Sequence, residues 1–422
     1  MRTKLQSDIH NRLGLKSCSS AYVELYINNE FMGLYLLNDA YKLSWIEKVY
    51  GEKDTTHLYK CESIPDLLPE FEDGCTNENE GVIDKTEWIN FLIAVEKAKS
   101  AVDLEDIFEI DYFLYEMALE YLTGAWDHIQ NKHNYYMYKQ PNGKWIYLSH
   151  DFDHDFGHID FGYLDAPITR TFEKSKIHLL DILIFNDSTR FVKILDDVVR
   201  KVFNPATLYQ HIDEIKEYIK PHVLLSKTPN AEGEYPGKLN YLSGDFFTFE
   251  QWDAYSEFTN GISDRNSYGL KYWVLMKYRF VCDYYHLECD SIYLDENFQY
   301  PVVEELNHLY TLEPYDVYAE TPTEALLEDS IIIPVETPTI IPTEISYPFQ
   351  TETSKETNQS LENIILTNEE TVYEVDLPTS IENDDESDDE EEYDISTNIY
   401  IPTETIKTLT KTKMIIYTTI TN

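Results

Sequence analysis

The sequence lacks a glycine-rich phosphate loop, since neither G-x-x-x-x-G-K-[ST] nor G-x-G-x-x-G occurs in its 422 residues. Both patterns hold nucleotide phosphates on backbone amides, so their absence argues against a P-loop enzyme and a typical protein kinase. Basic residues are also scarce, with 33 Lys and Arg against 78 Asp and Glu and a formal net charge of −45. Because unaided binding to nucleic-acid phosphates depends on basic patches, no nucleic-acid partner is predicted.

Long apolar runs and closely spaced cysteines are missing too. No segment approaches the roughly 20 apolar residues that a membrane-spanning helix needs, so no transmembrane segment is predicted. The N-terminal stretch MRTKLQSDIHNRLGL has no apolar core, so no signal peptide is visible. The five cysteines show no C-x-x-C spacing, which argues against a structural zinc site. Two pairs could form disulfides in an oxidising compartment: Cys61 with Cys75, and Cys282 with Cys289.

The composition changes near residue 313 and divides the chain into two parts. Residues 314–422 carry 25 acidic and 4 basic residues and are rich in Thr, Pro and Glu. Strong self-repulsion and few aromatic side chains predict a disordered acidic tail over residues 313–422. Residues 1–312 have the apolar patterning of a globular domain.

The predicted domain is α+β, with a small β-rich N-terminal part before a larger, mostly helical part. Apolar alternation on both sides of Asn28-Asn29-Glu30 predicts a β-hairpin of residues 22–27 and 31–37. A further strand is predicted at residues 58–60. Apolar periodicity predicts helices at about 86–99, 111–123, 178–201, 207–220 and 266–286.

The most informative segment runs from residue 124 to 160, GAWDHIQNKHNYYMYKQPNGKWIYLSHDFDHDFGHID. It contains a helix end, a loop with Asp127, a strand after Asn134, a Pro-Asn-Gly turn, a second strand, and then Asp151-Phe152-Asp153. Protein kinases use this order: one Asp orients the acceptor hydroxyl, while an Asn and an Asp hold magnesium against the phosphates. The order therefore predicts Asp127 as the catalytic residue. It also predicts Mg²⁺ or Mn²⁺ ligands, namely Asn134, Asp151 and Asp153.

Other readings of the same residues remain open. Loop-capping Asp and Asn residues would produce the same spacing. Asp155-Phe156-Gly157 spells the kinase D-F-G literally, but it lies four residues farther from the strand than Asp151, so Asp151 is favoured. The density of His and Asp around residues 150–155 also resembles dinuclear metallohydrolases, which need further ligands from distant loops. Lys60 is the candidate for binding nucleotide phosphates, with an exposed strand lysine as the alternative.

The chain resembles the spore-coat protein H (CotH) kinase family over residues 1 to about 290. The segments that carry the resemblance are MRTKLQSDIHNRLGL, AYVELYINNEFMGLYLL, HLYKCE, WDHIQNKHNYYMYK, WIYLSHDFDHDFG and LKYWVLMKYRFV. The resemblance implies an atypical, bilobal kinase-like fold that uses ATP and a divalent metal to phosphorylate Ser or Thr in proteins, including coat or surface proteins. It also implies an extracellular or cell-surface location. Carried over by motif, Asp127 is the catalytic Asp and Asp151 a metal ligand.

Two departures from the family pattern motivate an alternative. The family domain normally begins before the segment that matches Met1, with strands that help to build the nucleotide lobe. Thr3 stands where the usual M-R-E-K pattern has Glu. The alternative is a non-catalytic surface adhesin or structural coat protein that retains the kinase-like fold.

Overall fold

A computed structural model describes residues 1–158, 164–173, 175–237, 248–259 and 267–301, and the backbone of residues 370–376 and 413–419. The predicted mixture of helices and small sheets is confirmed in these residues. The α-helices are α1 Arg2–Leu13, α2 Leu43–Tyr50, α3 Thr86–Lys97, α4 Ile110–Thr123, α5 Ile168–Thr171, α6 His178–Leu180, α7 Thr189–Lys201, α8 Pro205–Ser226, α9 Phe249–Tyr255, α10 Leu270–Tyr284 and α11 Ser291–Leu294. The strands are β1 Ser20–Ile27, β2 Glu30–Asn38, β3 Leu58–Cys61, β4 Cys75–Asn77, β5 Tyr135–Lys139, β6 Trp145–Ser149, β7 Glu370–Asp376 and β8 Lys413–Thr419.

The predicted hairpin is confirmed as strands β1 and β2. Their antiparallel register ends with Ile27 opposite Glu30. The two turn residues, Asn28 and Asn29, have φ angles of 52° and 67°. Asn tolerates this left-handed conformation, which matches the twist of a two-residue hairpin.

A second antiparallel sheet, in the order β4-β3-β5-β6, carries the segment singled out by the sequence. The predicted disulfide between Cys61 and Cys75 joins β3 to β4, and a second one links Cys282 to Cys289. Every residue of β6 and the first four residues of β5 are buried. The strand ends of this ribbon are therefore held firmly by the surrounding core.

Helix α4 packs through the centre of the domain and ends just before Asp127. Five apolar side chains on its inner face are fully buried: Leu114, Met117, Ala118, Tyr121 and Leu122. Gly124 ends the helix with a φ of 69°, and its amide donates to the carbonyl of Glu120. A glycine fits this left-handed position without steric cost, so the chain turns sharply into the loop that follows.

The helix predicted over residues 178–201 is wrong as a continuous element. A one-turn helix, α6, continues into a π-helical turn over Asp181–Phe185, and α7 begins only at Thr189. The side chain of Asp187 accepts a hydrogen bond from the amide of Thr189 at 3.0 Å. Asp and Ser side chains compete with the helical backbone in this way, which explains the break.

The disordered tail predicted over residues 313–422 needs correction in two segments. Strand β8 pairs antiparallel with β1, from Val23 opposite Thr418 to Ile27 opposite Met414, and β7 pairs with β8. The stretch KMIIYTT is rich in β-branched and aromatic residues, which favour strands, whereas the average composition of the tail obscures it. The rest of the predicted tail lies outside the described residues.

Candidate active site

The antiparallel ribbon of β5 and β6 brings Asn134 and Asp151 to the same end. Tyr135 lies opposite Ser149, and the amide of His150 donates to the carbonyl of Asn134 at 3.0 Å. Asn134 and Asp151 both adopt left-handed backbone conformations, with φ angles of 59° and 65°. Asn and Asp tolerate this conformation better than other residues with a side chain, so both ends of the ribbon can turn sharply here.

Asp127 lies beside Asn134 and is held by three neighbouring side chains. Its Oδ1 is 2.6 Å from Nε2 of His133 and accepts a hydrogen bond from Asn131 at 3.2 Å. The side-chain nitrogen Nδ2 of Asn134 donates to the backbone oxygen of Asp127 at 2.9 Å and to its Oδ2 at 3.1 Å. The structure therefore brings Asp127 and Asn134 together, although seven residues separate them in sequence.

The electrostatic surroundings keep Asp127 ionised. Burial acts to raise its pKa, but the hydrogen bond and charge of His133 outweigh burial, and the pKa lies below its ordinary value. An ionised carboxylate can accept a proton from a substrate hydroxyl or interact with a cation. His133 is part of this arrangement, and only its closeness to Asn134 in the sequence could have indicated it.

Asp153 lies within the electrostatic reach of both other carboxylates. Burial raises its pKa to about 6; the charge of His154 opposes this effect, and the charges of Asp151 and Asp127 add to it. A bound cation would relieve this mutual repulsion, because nearby positive charge favours ionised carboxylates.

The donor set suits a hard divalent cation that keeps part of its water shell. Three carboxylates and the amide oxygen of Asn134 are oxygen donors of the type that Mg²⁺ prefers, completed by water and substrate phosphates. In the part of the chain that the structure describes, no three His, Cys, Asp or Glu side chains converge closely enough to hold a metal ion by themselves. This holds for the metallohydrolase alternative and for the carboxylates at the ribbon end alike, so a metal site here stays a prediction.

Lys60 is not brought into the carboxylate cluster. It lies on β3 opposite Tyr136, and its ammonium group pairs with Glu62. About a third of its side chain is exposed. Its positive charge helps to lower the pKa of the His150 imidazole. That pKa is about 4, with burial as the largest cause, followed by the charges of Lys60 and His133. The lysine is therefore near the site, and its direct role in nucleotide binding stays a prediction.

The literal D-F-G sequence, Asp155-Phe156-Gly157, lies in the core next to the candidate site. Asp155 and Phe156 are fully buried, and Oγ1 of Thr123 donates to Asp155 at 3.1 Å. Gly157 has a φ of 72°, and a Cβ added there would lie 2.4 Å from the ring of Trp273. The side chain of Asp155 is thus enclosed by the core, whereas Asp151 is exposed beside the ribbon end.

Two side chains of helix α1, which sequence reasoning did not single out, contact the segment of residues 152–156. Arg2 donates to the carbonyls of Asp155 at 2.9 Å and Phe156 at 2.6 Å. His10 stacks on Phe152, with ring centroids 5.2 Å apart, and pairs with the buried Glu116 at 3.1 Å. Both side chains reach the loop from more than 140 residues away in sequence, so local patterns could not reveal these contacts.

Comparisons with known proteins show similarity over the part of the chain that holds this candidate site. A family model described as "CotH kinase protein" matches residues 1–268, a range that contains all the predicted site residues.

The chain belongs to the CotH family.

Three curated relatives come from Rhizopus delemar. "Spore coat protein homolog 1" is 27% identical over 323 residues, covering 67% of this chain and 49% of the relative. "Invasin CotH3" is 28% identical over 253 residues, covering 52% of this chain and 41% of that relative. "Invasin CotH7" is 26% identical over 250 residues, covering 52% and 40%. The chain spans about half the length of these relatives, or less. Among the described residues no helix is long and apolar enough to cross a membrane.

Proposed function

We propose that this CotH-family chain is an atypical Ser/Thr protein kinase that transfers the γ-phosphate of ATP to protein hydroxyl groups, with Mg²⁺ or Mn²⁺. The observation that carries the proposal is the contact between Asp127 and Asn134 beside the ribbon end at Asp151. Protein kinases need this set of one catalytic Asp, one Asn and one metal-binding Asp. The family description as a kinase supports the same reading.

Each residue has a separate role in the proposed reaction. Asp127 orients the acceptor hydroxyl and accepts its proton, and His133 and Asn131 hold its carboxylate in place. Asn134, Asp151 and Asp153 would hold the divalent cation, which would supply positive charge against the phosphates. Lys60 on the neighbouring strand adds positive charge on the nucleotide side. The fold that we propose for the domain is bilobal and kinase-like.

The experiment is a phosphate-transfer assay with ATP, Mn²⁺ or Mg²⁺ and a Ser-containing protein acceptor. We expect Asp127→Asn to lower kcat by about 10²–10⁴-fold, the usual contribution of a positioned acid or base. The matched control is Asp106→Asn, the same change at an exposed carboxylate, which should leave kcat unchanged. Equal transfer by the wild type and Asp127→Asn would contradict the proposal.

The names of the relatives favour a second candidate: a non-catalytic adhesin or coat protein at the cell surface. Two of the relatives are named invasins and one a spore coat protein homolog. Nucleotide binding separates the two candidates, because a ligand that binds the native state raises its thermal stability. A melting temperature unchanged by millimolar ATP and Mn²⁺, together with binding to cells, would favour the adhesin. In either case we propose a coat or surface location.

A further inference from the structure

A cavity of about 180 Å³ lies beside Asp153, between the N-terminal end of α1 and helices α9 and α10. Its lining is mainly apolar and includes Trp252, Tyr255 and Leu270. An apolar cavity of about 150 Å³ holds a benzene-sized group, whereas sites for whole drug-sized ligands measure roughly 300–1,000 Å³. The space therefore fits one aliphatic or aromatic side chain.

Two aromatic side chains of α9 form a wall that is open to this cavity. Trp252 and Tyr255 are both only partly buried, so their rings keep surface that a bound group can cover. The spacing of three residues places them on the same face of the helix. Leu270, which is buried, completes the apolar lining from α10.

Helix α9 is held in place by polar contacts away from the cavity. Oγ1 of Thr248 accepts a hydrogen bond from the amide of Gln251 at 3.2 Å, which caps the helix. Asp253 pairs with Lys216 at 3.2 Å and with Lys220 at 3.1 Å, both on α8. The aromatic wall is therefore preformed, which lowers the entropic cost of binding.

Arg2, the cation in the lining, is directed at the backbone of the core. It donates to the carbonyls of Asp155 at 2.9 Å and Phe156 at 2.6 Å. A third bond, of 2.7 Å, goes to the carbonyl of Tyr268. Its guanidinium carbon lies 5.7 Å from the ring centre of Tyr255, so it braces the aromatic wall. The cavity is thus built for a hydrocarbon group rather than for a phosphate, which needs several hydrogen-bond donors.

Asp153 makes the cavity continuous with the candidate active site. It lines the cavity and lies close enough to Asp127 for the two carboxylates to interact electrostatically. Asp127 is the residue proposed to orient the acceptor hydroxyl. An extended peptide advances only about 3.3 Å per residue, so a neighbour of the acceptor residue reaches a cavity that begins at Asp153.

We propose that this cavity selects the protein acceptor: it binds an aliphatic or aromatic side chain directly next to the Ser or Thr that receives the phosphate, and Trp252 sets this preference. The inference rests on the proposed kinase function and adds the class of acceptor sequence. Entry of an apolar side chain removes its surface and that of the aromatic wall from water, which favours it over a polar one.

Two synthetic peptides test this preference. Each has a single serine among glycines, with lysines at both ends, and the two residues that flank the serine are leucine in one peptide and asparagine in the other. With ATP and Mn²⁺, kcat/KM should be about 10–100-fold higher for the leucine peptide. The difference should lie mainly in KM, because the flanking side chain is bound equally before and during transfer. Equal kcat/KM values for the two peptides would overturn the proposal.

A variant tests the role of Trp252 itself. Trp252→Ala removes most of the aromatic wall, so the ratio of the two kcat/KM values should fall to less than about threefold. Tyr218→Ala is the control, because it truncates another partly buried ring, on α8, that does not line the cavity. It should keep the ratio of the wild type. An unchanged ratio in Trp252→Ala would contradict the assignment.

A binding measurement separates this proposal from the kinase proposal. The same peptides with alanine in place of serine cannot be phosphorylated, and calorimetry should show about tenfold or tighter binding of the leucine version to the wild type. Transfer to both serine peptides without any difference in kcat/KM or binding would make only this assignment wrong. Preferential binding that depends on Trp252, without transfer, would refute the kinase and leave an apolar peptide cavity. Neither transfer nor preferential binding would overturn both proposals.

Discussion

Asp127 and the buried acids of the same domain behave in opposite ways. At the ribbon end, the pKa of Asp127 is kept low by His133, whereas burial raises the pKa of its neighbour Asp153 to about 6. In the core of the domain, burial raises the pKa of Glu120 and that of Asp155 well above the ordinary value of a carboxyl group. The same carboxyl group therefore stays ionised where a histidine pairs with it, as proposed for the reaction at Asp127, and it serves the fold where burial favours its neutral form.

The pair of His10 and Glu116 is the clearest member of the buried group. Burial acts to lower the pKa of His10, but the charge of Glu116 outweighs it, and the pKa lies above the ordinary value. Ser149 also donates to Glu116 at 2.5 Å. The pair joins α1 to α4 and to the end of β6, so it fixes the base of the ribbon that carries the site.

The largest expected effect on stability comes from breaking this pair. Glu116→Ala leaves the buried imidazole of His10 and the hydroxyl of Ser149 without their acceptor and opens a cavity, which should lower the free energy of unfolding by about 2–5 kcal/mol. Asp151→Asn, at the exposed ribbon end, should change it by less than about 1 kcal/mol. Urea denaturation followed by circular dichroism measures both values.

An apolar replacement of both partners provides the control. The double variant His10→Phe, Glu116→Leu removes both charges together and should recover much of the lost stability. If Glu116→Ala were no more destabilising than Asp151→Asn, the division between structural and functional acids would be wrong.

A smaller, pH-dependent effect is expected from Lys277, a buried cation outside the site. Burial lowers its pKa to about 7, and its ammonium group lies 3.8 Å from the ring centre of Tyr121. The unfolded chain holds this proton up to about pH 10.4, so between pH 7 and 10 it binds more protons than the folded chain. Raising the pH through this window should therefore stabilise the wild type.

Comparison with Lys277→Met isolates this contribution. Relative to the variant, the wild type should gain up to about 1.4 kcal/mol of unfolding free energy per pH unit above pH 7. Parallel stability curves for the two proteins between pH 7 and 9 would show that Lys277 keeps an ordinary pKa.

The smallest effect is expected at the literal D-F-G motif. Burial raises the pKa of Asp155 and so favours its neutral form, and Asn preserves its size and the acceptor for Thr123. Asp155→Asn should therefore change kcat by less than about threefold and stability by less than about 1 kcal/mol. A loss of activity as large as that of Asp127→Asn would move the metal-binding role from Asp151 to Asp155.

Local sequence patterns predicted the features that depend on neighbouring residues. The Asn-Asn hairpin turn, the apolar face and Gly124 end of α4, and the β5–β6 ribbon all follow from periodicity and turn chemistry. The ribbon in turn predicted that Asn134 and Asp151 would lie at one end, because antiparallel register fixes that geometry.

Contacts between distant segments could not be predicted in this way. The support from Arg2 and His10 depends on how α1 packs under the loop, and a single sequence carries no signal for that packing. The strand at residues 413–419 was missed because the acidic composition of the whole tail outweighed a short apolar run. The break before α7 arose from a side-chain hydrogen bond that overrode helical periodicity.

The most direct test of the account is calorimetric titration of ATP into the protein with and without Mn²⁺. We predict that Mn²⁺ strengthens ATP binding to the wild type, and that Asp151→Asn weakens the Mn²⁺-dependent affinity by about tenfold or more. Asp106→Asn should match the wild type. Mn²⁺-dependent ATP binding of equal strength in the wild type and Asp151→Asn would contradict the assignment of the ribbon end as the metal and nucleotide site.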